Sequence, residues 1–305
     1  MLPRKYEIEL TSACNAVCPG CKRTMLLDKG APFNLNTFDI DDVEDIFAHI
    51  NMFGTKVKFC GVLGDPIACK DLFEITQFFV IEKGVGEIEV STNAGLKTPK
   101  WWDQYGKISK QSKGVLVVHF AIDGFTRNDY RVNVDLSKAL ANMEAYVAAG
   151  GHAVWQYIIF DYNKHEVDLA RQRAKELGIG FATRTAWRND ADVNEKKKIE
   201  KKAVDRDYGD PKIDCQHLRT QEVFIASNHT VWPCCYLYDE HVTKGVPQQE
   251  TYSLRDNTLT EILADPWFNG GLSETFDKKH PLNMPRCWKS CGDGGKRKNQ
   301  KNVES

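Results

Sequence analysis

Ten cysteines are the residues in this sequence best able to do chemistry, and most fall into two groups. Cys14, Cys18 and Cys21 form a C-x3-C-x2-C set near the start, and Cys215, Cys234, Cys235, Cys287 and Cys291 lie near the end. Three thiolates are one too few for a closed zinc site, which takes four N or S ligands, and no histidine stands nearby to complete one. A [4Fe–4S] cluster held by three thiolates instead keeps one iron with an open position, able to bind and reduce a small molecule. The late five suffice for one fully ligated cluster with one thiol to spare, a closed four-thiolate zinc site being the lesser alternative. Cys60 and Cys69 read as buried packing residues, the common fate of small apolar thiols.

Metal or cluster ligation is favoured over disulfides by the setting. The chain has 305 residues, 42% apolar and 27% charged, with 41 basic against 42 acidic side chains and a net charge of −1. That is the composition of a folded protein of about two domains, large enough to need no disulfide scaffold. The charge balance argues against a protein built around an extended polyanion, so nucleic acid is not an expected partner. No run approaches the roughly 20 apolar residues that span a bilayer, and the first residues lack the apolar core of a signal peptide. The expected location is therefore cytoplasmic, where thiols stay reduced.

The elements that must position the early cysteines follow a βα rhythm. Strand-like runs at Tyr6–Leu10, Val57–Cys60, Glu87–Ser91, Val115–Ile122, Val154–Phe160 and Ile179–Thr183 alternate with helical patterns such as Asp41–Asn51, Asp71–Lys83, Leu136–Ala149 and His165–Leu177. This predicts a parallel sheet with helical crossovers, either a barrel or an open doubly wound sheet. In both, function gathers at the carboxyl ends of the strands. There stand Thr11–Cys21, Gly61–Pro66, Thr92–Gly95, and Asp123 with Gly124. Asp123, Gln156 and Arg184, the last two on the fifth and sixth strands, are candidate cavity residues, as are Trp155 and Trp187. A charged stretch from Asp190 to Asp207 reads as a solvated helix or linker and sets a domain boundary near residue 200.

With its cysteine triad early in a βα repeat, the sequence resembles the radical S-adenosylmethionine (radical SAM) superfamily. Phe59-Cys-Gly-Val-Leu-Gly-Asp-Pro66 resembles that family's "GGEP" loop, with Leu63 for the first Gly and Asp65 for Glu. Ser91-Thr-Asn-Ala-Gly95 resembles "STNG", and His119-Phe-Ala-Ile-Asp-Gly124 resembles "SlDG" with His119 in place of Ser. The resemblance, over about residues 5–190, implies a partial (β/α)6 TIM-like barrel. It implies that Cys14, Cys18 and Cys21 hold a SAM-binding [4Fe–4S] cluster. It further implies that Gly64, Asp65, Pro66, Ser91, Thr92, Asn93, His119 and Arg131 surround the SAM, Arg131 matching the family's downstream arginine.

The late cysteines resemble the shortened "twitch" form of the SPASM domain: a cysteine, a hairpin ending in Pro-Cys-Cys, and a terminal cysteine pair. The hairpin is read at Phe224–Pro233 with its turn at Asn228-His229, where His229 stands in place of the usual Gly. By that register Cys215, Cys234, Cys287 and Cys291 would hold an auxiliary [4Fe–4S] cluster, Cys234 being preferred to Cys235. The expected organisation is a radical SAM core over 1–200 and a cysteine-rich twitch/SPASM-like domain over 201–305.

The resemblance implies reductive cleavage of SAM to a 5′-deoxyadenosyl radical that takes hydrogen from a substrate carbon. An auxiliary cluster favours net oxidation, as in a similar small enzyme type that oxidises a sugar alcohol. The alternatives are a peptide-modifying maturase that crosslinks or epimerises, and a non-catalytic iron–sulfur or zinc protein. Because 13 residues precede Cys14, the expected substrate is a small molecule or a peptide delivered separately. The expected electron donor is a low-potential protein such as flavodoxin or ferredoxin.

Overall fold

The computed structural model describes residues 2–31, 34–186, 212–244, 252–280, 283–293 and 302–304. The βα rhythm folds as β1 (Lys5–Ile8), α1 (Lys22–Asp28), α2 (Ile40–Phe47), β2 (Lys56–Phe59), α3 (Leu72–Gln77), β3 (Glu87–Thr92), α4 (Pro99–Gln111), β4 (Leu116–Ala121), α5 (Leu136–Ala148), β5 (His152–Ile159), α6 (Val167–Glu176) and β6 (Gly180–Thr185). After these come α7 (Gln216–Thr220), β7 (Glu222–Ala226), β8 (Thr230–Trp232), α8 (Cys235–Lys244), α9 (Leu259–Ala264), α10 (Pro285–Cys291) and β9 (Asn302–Glu304). The domain boundary near residue 200, the charged run and Trp187 lie outside the described residues.

Local chemistry starts the helices. Asp39 accepts from the N–H of Asp42 at 2.9 Å and Asp42 returns the bond, a capping box for α2. Thr98 caps α4, whose first residue is Pro99, where the missing N–H is harmless. The helix expected over Asp71–Lys83 divides: α3 gives way to a π-helical turn over Phe78–Glu82, with both Phe78 and Phe79 buried.

Strand order settles what periodicity left open. The sheet runs β8-β7-β1-β2-β3-β4-β5-β6-β9, parallel from β7 to β6, with β8 and β9 antiparallel at its edges. A doubly wound sheet reverses its order at a switch point, whereas here β1 to β6 follow in sequence. This is the partial (β/α)6 TIM-like barrel. The expected hairpin forms as β7 and β8, and His229 takes φ +67°, the left-handed region where Gly is otherwise preferred. β7 pairs with β1, so the hairpin extends the barrel's own sheet, and Val223, Ile225 and Val231 join its core.

Alternation assigns the two faces. Val57, Phe59, Ile88, Val90, Val118, Phe120 and Trp155 pack outward under the helices. Lys58, Cys60, Glu89, Ser91, His119 and Gln156 point to the inside. Trp155 is therefore a core residue, its Nε1 donating to the Ile122 carbonyl at 2.8 Å. Among the described residues, no helix is long and apolar enough to cross a membrane.

Candidate active site

The early cysteines sit on the loop that leaves the carboxyl end of β1. The N–H of Cys21 donates to the Cys18 carbonyl at 3.1 Å and leads into α1, while Val17 N–H reaches Val132 at 3.0 Å. Ala16, Tyr130 and Phe160 cover the loop with a small apolar cluster around Cys18. Burial, the Asp65 carboxylate and then the neighbouring Cys18 and Cys21 push the Cys14 thiol up to about 12. Burial likewise raises Cys18, opposed by the Arg131 guanidinium. Thiols pushed up by burial, as Cys14 and Cys18 are, release their protons to solvent most readily when a metal takes up the thiolates, which is how ligation couples to thiol ionisation. Among the described residues, no three His, Cys, Asp or Glu side chains converge closely enough for a single ion. A four-iron cluster takes one thiolate per iron and spaces its ligands more widely, so an all-thiol set of this kind suits it.

The loop after β2 is locked onto this one. A Cβ on Gly64 would lie 1.7 Å from the Thr11 carbonyl oxygen, so only glycine lets the two backbones meet. Asp65 N–H donates to the Ala13 carbonyl at 2.8 Å. The Asp65 side chain is buried and accepts from Ile67 N at 3.0 Å, Asn93 N at 2.8 Å and Thr92 Oγ1 at 3.1 Å. It thereby ties the loop to the end of β3. Asn93 in turn holds Asn15 at 3.0 Å and approaches Cys14 Sγ at 3.7 Å.

At the end of β4, Asp123 is wholly buried: Oδ1 accepts from Ile158 N and Oδ2 from Arg131 Nε, both at 2.7 Å. His119, Asp123, Arg131, Gln156 and Arg184 line a cavity of about 170 Å³. A second cavity, about 870 Å³, runs from the barrel interior to the late cysteines. Its barrel wall is an ionic network. Lys58 Nζ stands 3.7 Å from both Glu7 and Glu89, His119 Nδ1 stands 3.5 Å from Glu89 and 2.8 Å from Gln156, and the Cys60 thiol donates to Glu7 at 2.6 Å. Burial works to raise the Glu89 carboxyl, but Lys58 and His119 outweigh it and hold it below its ordinary value.

Cys215, Cys234, Cys287 and Cys291 line the far end of this cavity. Burial pushes Cys234 up to about 12, with Cys215 and Cys291 adding their repulsion, and Cys287 is raised by burial and by the other three. Cys235 lines the same cavity and meets Glu7, Cys234, Cys60 and Lys58. The structure thus gathers the four cysteines singled out from the sequence and leaves Cys235 on the barrel side.

No protein-family model and no curated protein matches the chain. Solved structures do. SuiB of Streptococcus suis bound to S-adenosylmethionine superposes with a TM-score of 0.60 at 13% identity, over 94% of this chain and 72% of SuiB. SuiB bound to its precursor peptide SuiA gives 0.62 at 14%, over 89% and 67%. The protein anSMEcpe with bound AdoMet and the Cp18Cys peptide gives 0.56 at 14%, over 95% and 89%. The chain shares the fold of these proteins.

Within this fold, the residues expected around SAM take unequal places. Asp65 and Asn93 stand beside Cys14, Thr92 bonds Asp65, Gly64 abuts Thr11 and Pro66 begins a buried turn, whereas Ser91 and His119 face the larger cavity. Asp123, expected as a cavity residue, lines the smaller cavity, and its two oxygens accept from Ile158 N and Arg131 Nε. Gln156 and Arg184 do line the cavities. Cys60 is corrected from packing residue to cavity wall, because its strand register turns it inward with Lys58. Glu7, Lys58 and Glu89 escaped the sequence reading. Their signal was charged residues at alternate positions of β1, β2 and β3, a pattern that marks a polar inner face.

Proposed function

We propose that the protein is a radical SAM enzyme that abstracts hydrogen from a substrate carbon and oxidises it with the help of one auxiliary [4Fe–4S] cluster. The observation that supports this most is the locking of the Gly61–Pro66 loop onto the three-cysteine loop, in a fold shared with proteins solved with SAM bound. Cys14, Cys18 and Cys21 would hold the first cluster and Cys215, Cys234, Cys287 and Cys291 the second. When bound, a reduced cluster with SAM supplies a 5′-deoxyadenosyl radical, the hydrogen-abstracting species. The chain's own task is to position and to exclude. The apolar cover of Ala16, Tyr130 and Phe160 keeps water from Cys18. The Glu7, Lys58, Glu89 and His119 network offers a substrate fixed donors and acceptors between the two thiol groups, with Gln156 and Arg184 at its edge. The core over 1–200, the twitch/SPASM-like module over 201–305, a flavodoxin or ferredoxin donor and a cytoplasmic setting belong to the same reading.

A peptide-modifying activity is the second reading, favoured because two of the similar structures hold peptides. The test is iron, sulfide and zinc per chain, with 5′-deoxyadenosine formation under strong reductant, after anaerobic reconstitution. About eight irons falling to about four in the C14A/C18A/C21A variant, with loss of SAM cleavage, is the expected outcome. Iron or zinc binding without SAM cleavage in the wild type overturns the proposal in favour of a non-catalytic metal protein.

A further inference from the structure

Glu9 is a carboxylate buried to 1% exposure, on the segment that runs from β1 toward Cys14, and no cation among the described residues pairs with it. An unpaired charge in such a place is costly unless neutral donors surround it. They do. Glu9 Oε1 accepts from Leu63 N at 2.7 Å, and the N–H groups of Val62 and Gly64 also point to the carboxylate. A Cβ on Gly61 would fall 2.7 Å from that oxygen, so the glycine lets the loop wrap around it. Oε2 accepts from Ser227 Oγ at 3.0 Å, in the turn that joins β7 to β8, and Ser227 is itself fully buried. Glu9 N–H also donates to Ile225 of β7 at 2.9 Å. One side chain therefore joins the Gly61–Pro66 loop to a hairpin more than 150 residues away in sequence.

We propose that Glu9 is a positioning residue that shapes the Gly61–Gly64 backbone for SAM and makes that shape depend on the seated β7–β8 hairpin. The inference rests on reading Gly61–Pro66 as the SAM-receiving loop. Replacing the carboxylate by a methyl group strands the loop's N–H groups, and they turn away to find other acceptors. Removing the Ser227 hydroxyl frees one carboxylate oxygen to rotate off the loop. A carboxamide at position 9 keeps an oxygen for Leu63 N and presents an N–H to the Ser227 hydroxyl, so it preserves the shape.

The experiment titrates SAM calorimetrically into the full-length chain after anaerobic reconstitution, for wild type, Glu9→Ala, Glu9→Gln and Ser227→Ala. Iron content and Tm are measured on the same samples. The expected result is a Kd raised about tenfold in Glu9→Ala and about threefold in Ser227→Ala, at unchanged iron content, with Glu9→Gln close to wild type. If Glu9→Ala does not fold, Ser227→Ala against Glu9→Gln decides. Kd values within about twofold of wild type in the folded alanine variants, even with a lowered Tm, show a merely structural role and overturn the proposal. A wild type that holds iron but binds no SAM overturns the reading of the loop and the proposal with it.

Discussion

Asn in place of Asp123 is the substitution whose effect follows most directly from the structure. Asp123 is wholly buried and Arg131 keeps 17% of its side chain exposed. The asparagine Oδ1 still accepts from Ile158 N, but its NH2 now faces Arg131 Nε, donor against donor. Breaking one side of a buried ion pair costs about 3–5 kcal/mol, and a single charge-assisted bond about 1.5–3 kcal/mol. Arg131 retains some water, so the lower end of the first range applies, about 3 kcal/mol. At roughly 2 °C per kcal/mol for a chain of this size, Tm falls by about 6 °C. The assay is urea unfolding of the metal-free chain, followed by tryptophan fluorescence, for D123N, R131Q and the double variant. The double variant should recover part of the loss, with a coupling of about 1–3 kcal/mol. A D123N loss under about 0.5 kcal/mol, or strictly additive singles, would refute the argument that Asp123 acts by holding Arg131.

Gly64→Ala sets a methyl group 1.7 Å from the Thr11 carbonyl oxygen, so the loop must shift. The expected outcome is a destabilisation of about 1–3 kcal/mol and a SAM Kd raised at least about tenfold, and wild-type affinity by calorimetry would contradict the close approach. For pH, burial acts to raise the Glu166 carboxyl, but the Thr126 hydroxyl and the N–H groups of Phe125 and Thr126 hold it below its ordinary value. A depressed carboxyl contributes stability above its unfolded value of about 4.3 and loses it as pH falls through the lower folded value. The urea midpoint of wild type should therefore exceed that of Glu166→Gln at neutral pH and approach it below about pH 4. A gap that does not change with pH contradicts this account.

Much of the barrel was legible because strands and helices announce themselves within short windows. The runs around Val57, Glu87, Val115 and Val154 each fold as a strand, and Asp39 with Asp42 caps α2 from neighbouring positions. The helix read through Asp71–Lys83 broke into an α and a π segment as both Phe78 and Phe79 were buried, a demand of packing that the local pattern does not carry. Register was the other gap. Cys60 and Phe59 are adjacent, and which one faces the cavity depends on pairing with β1 and β3.

By itself, the sequence determined the cysteine spacing, the order of the strand-end loops and the apolar periods that build the elements, since all of these are local in the chain. Only the tertiary structure decided that Asp123 spends its oxygens on Ile158 and Arg131, and that Glu7, Lys58 and Glu89 form one network. It alone gathers Cys215, Cys234, Cys287 and Cys291 at one end of a cavity and sets Ser227 against Glu9. The reason is physical. Local preference acts over one turn or one strand, whereas hydrogen bonds and ion pairs between distant segments exist only once the sheet has closed the loop between them.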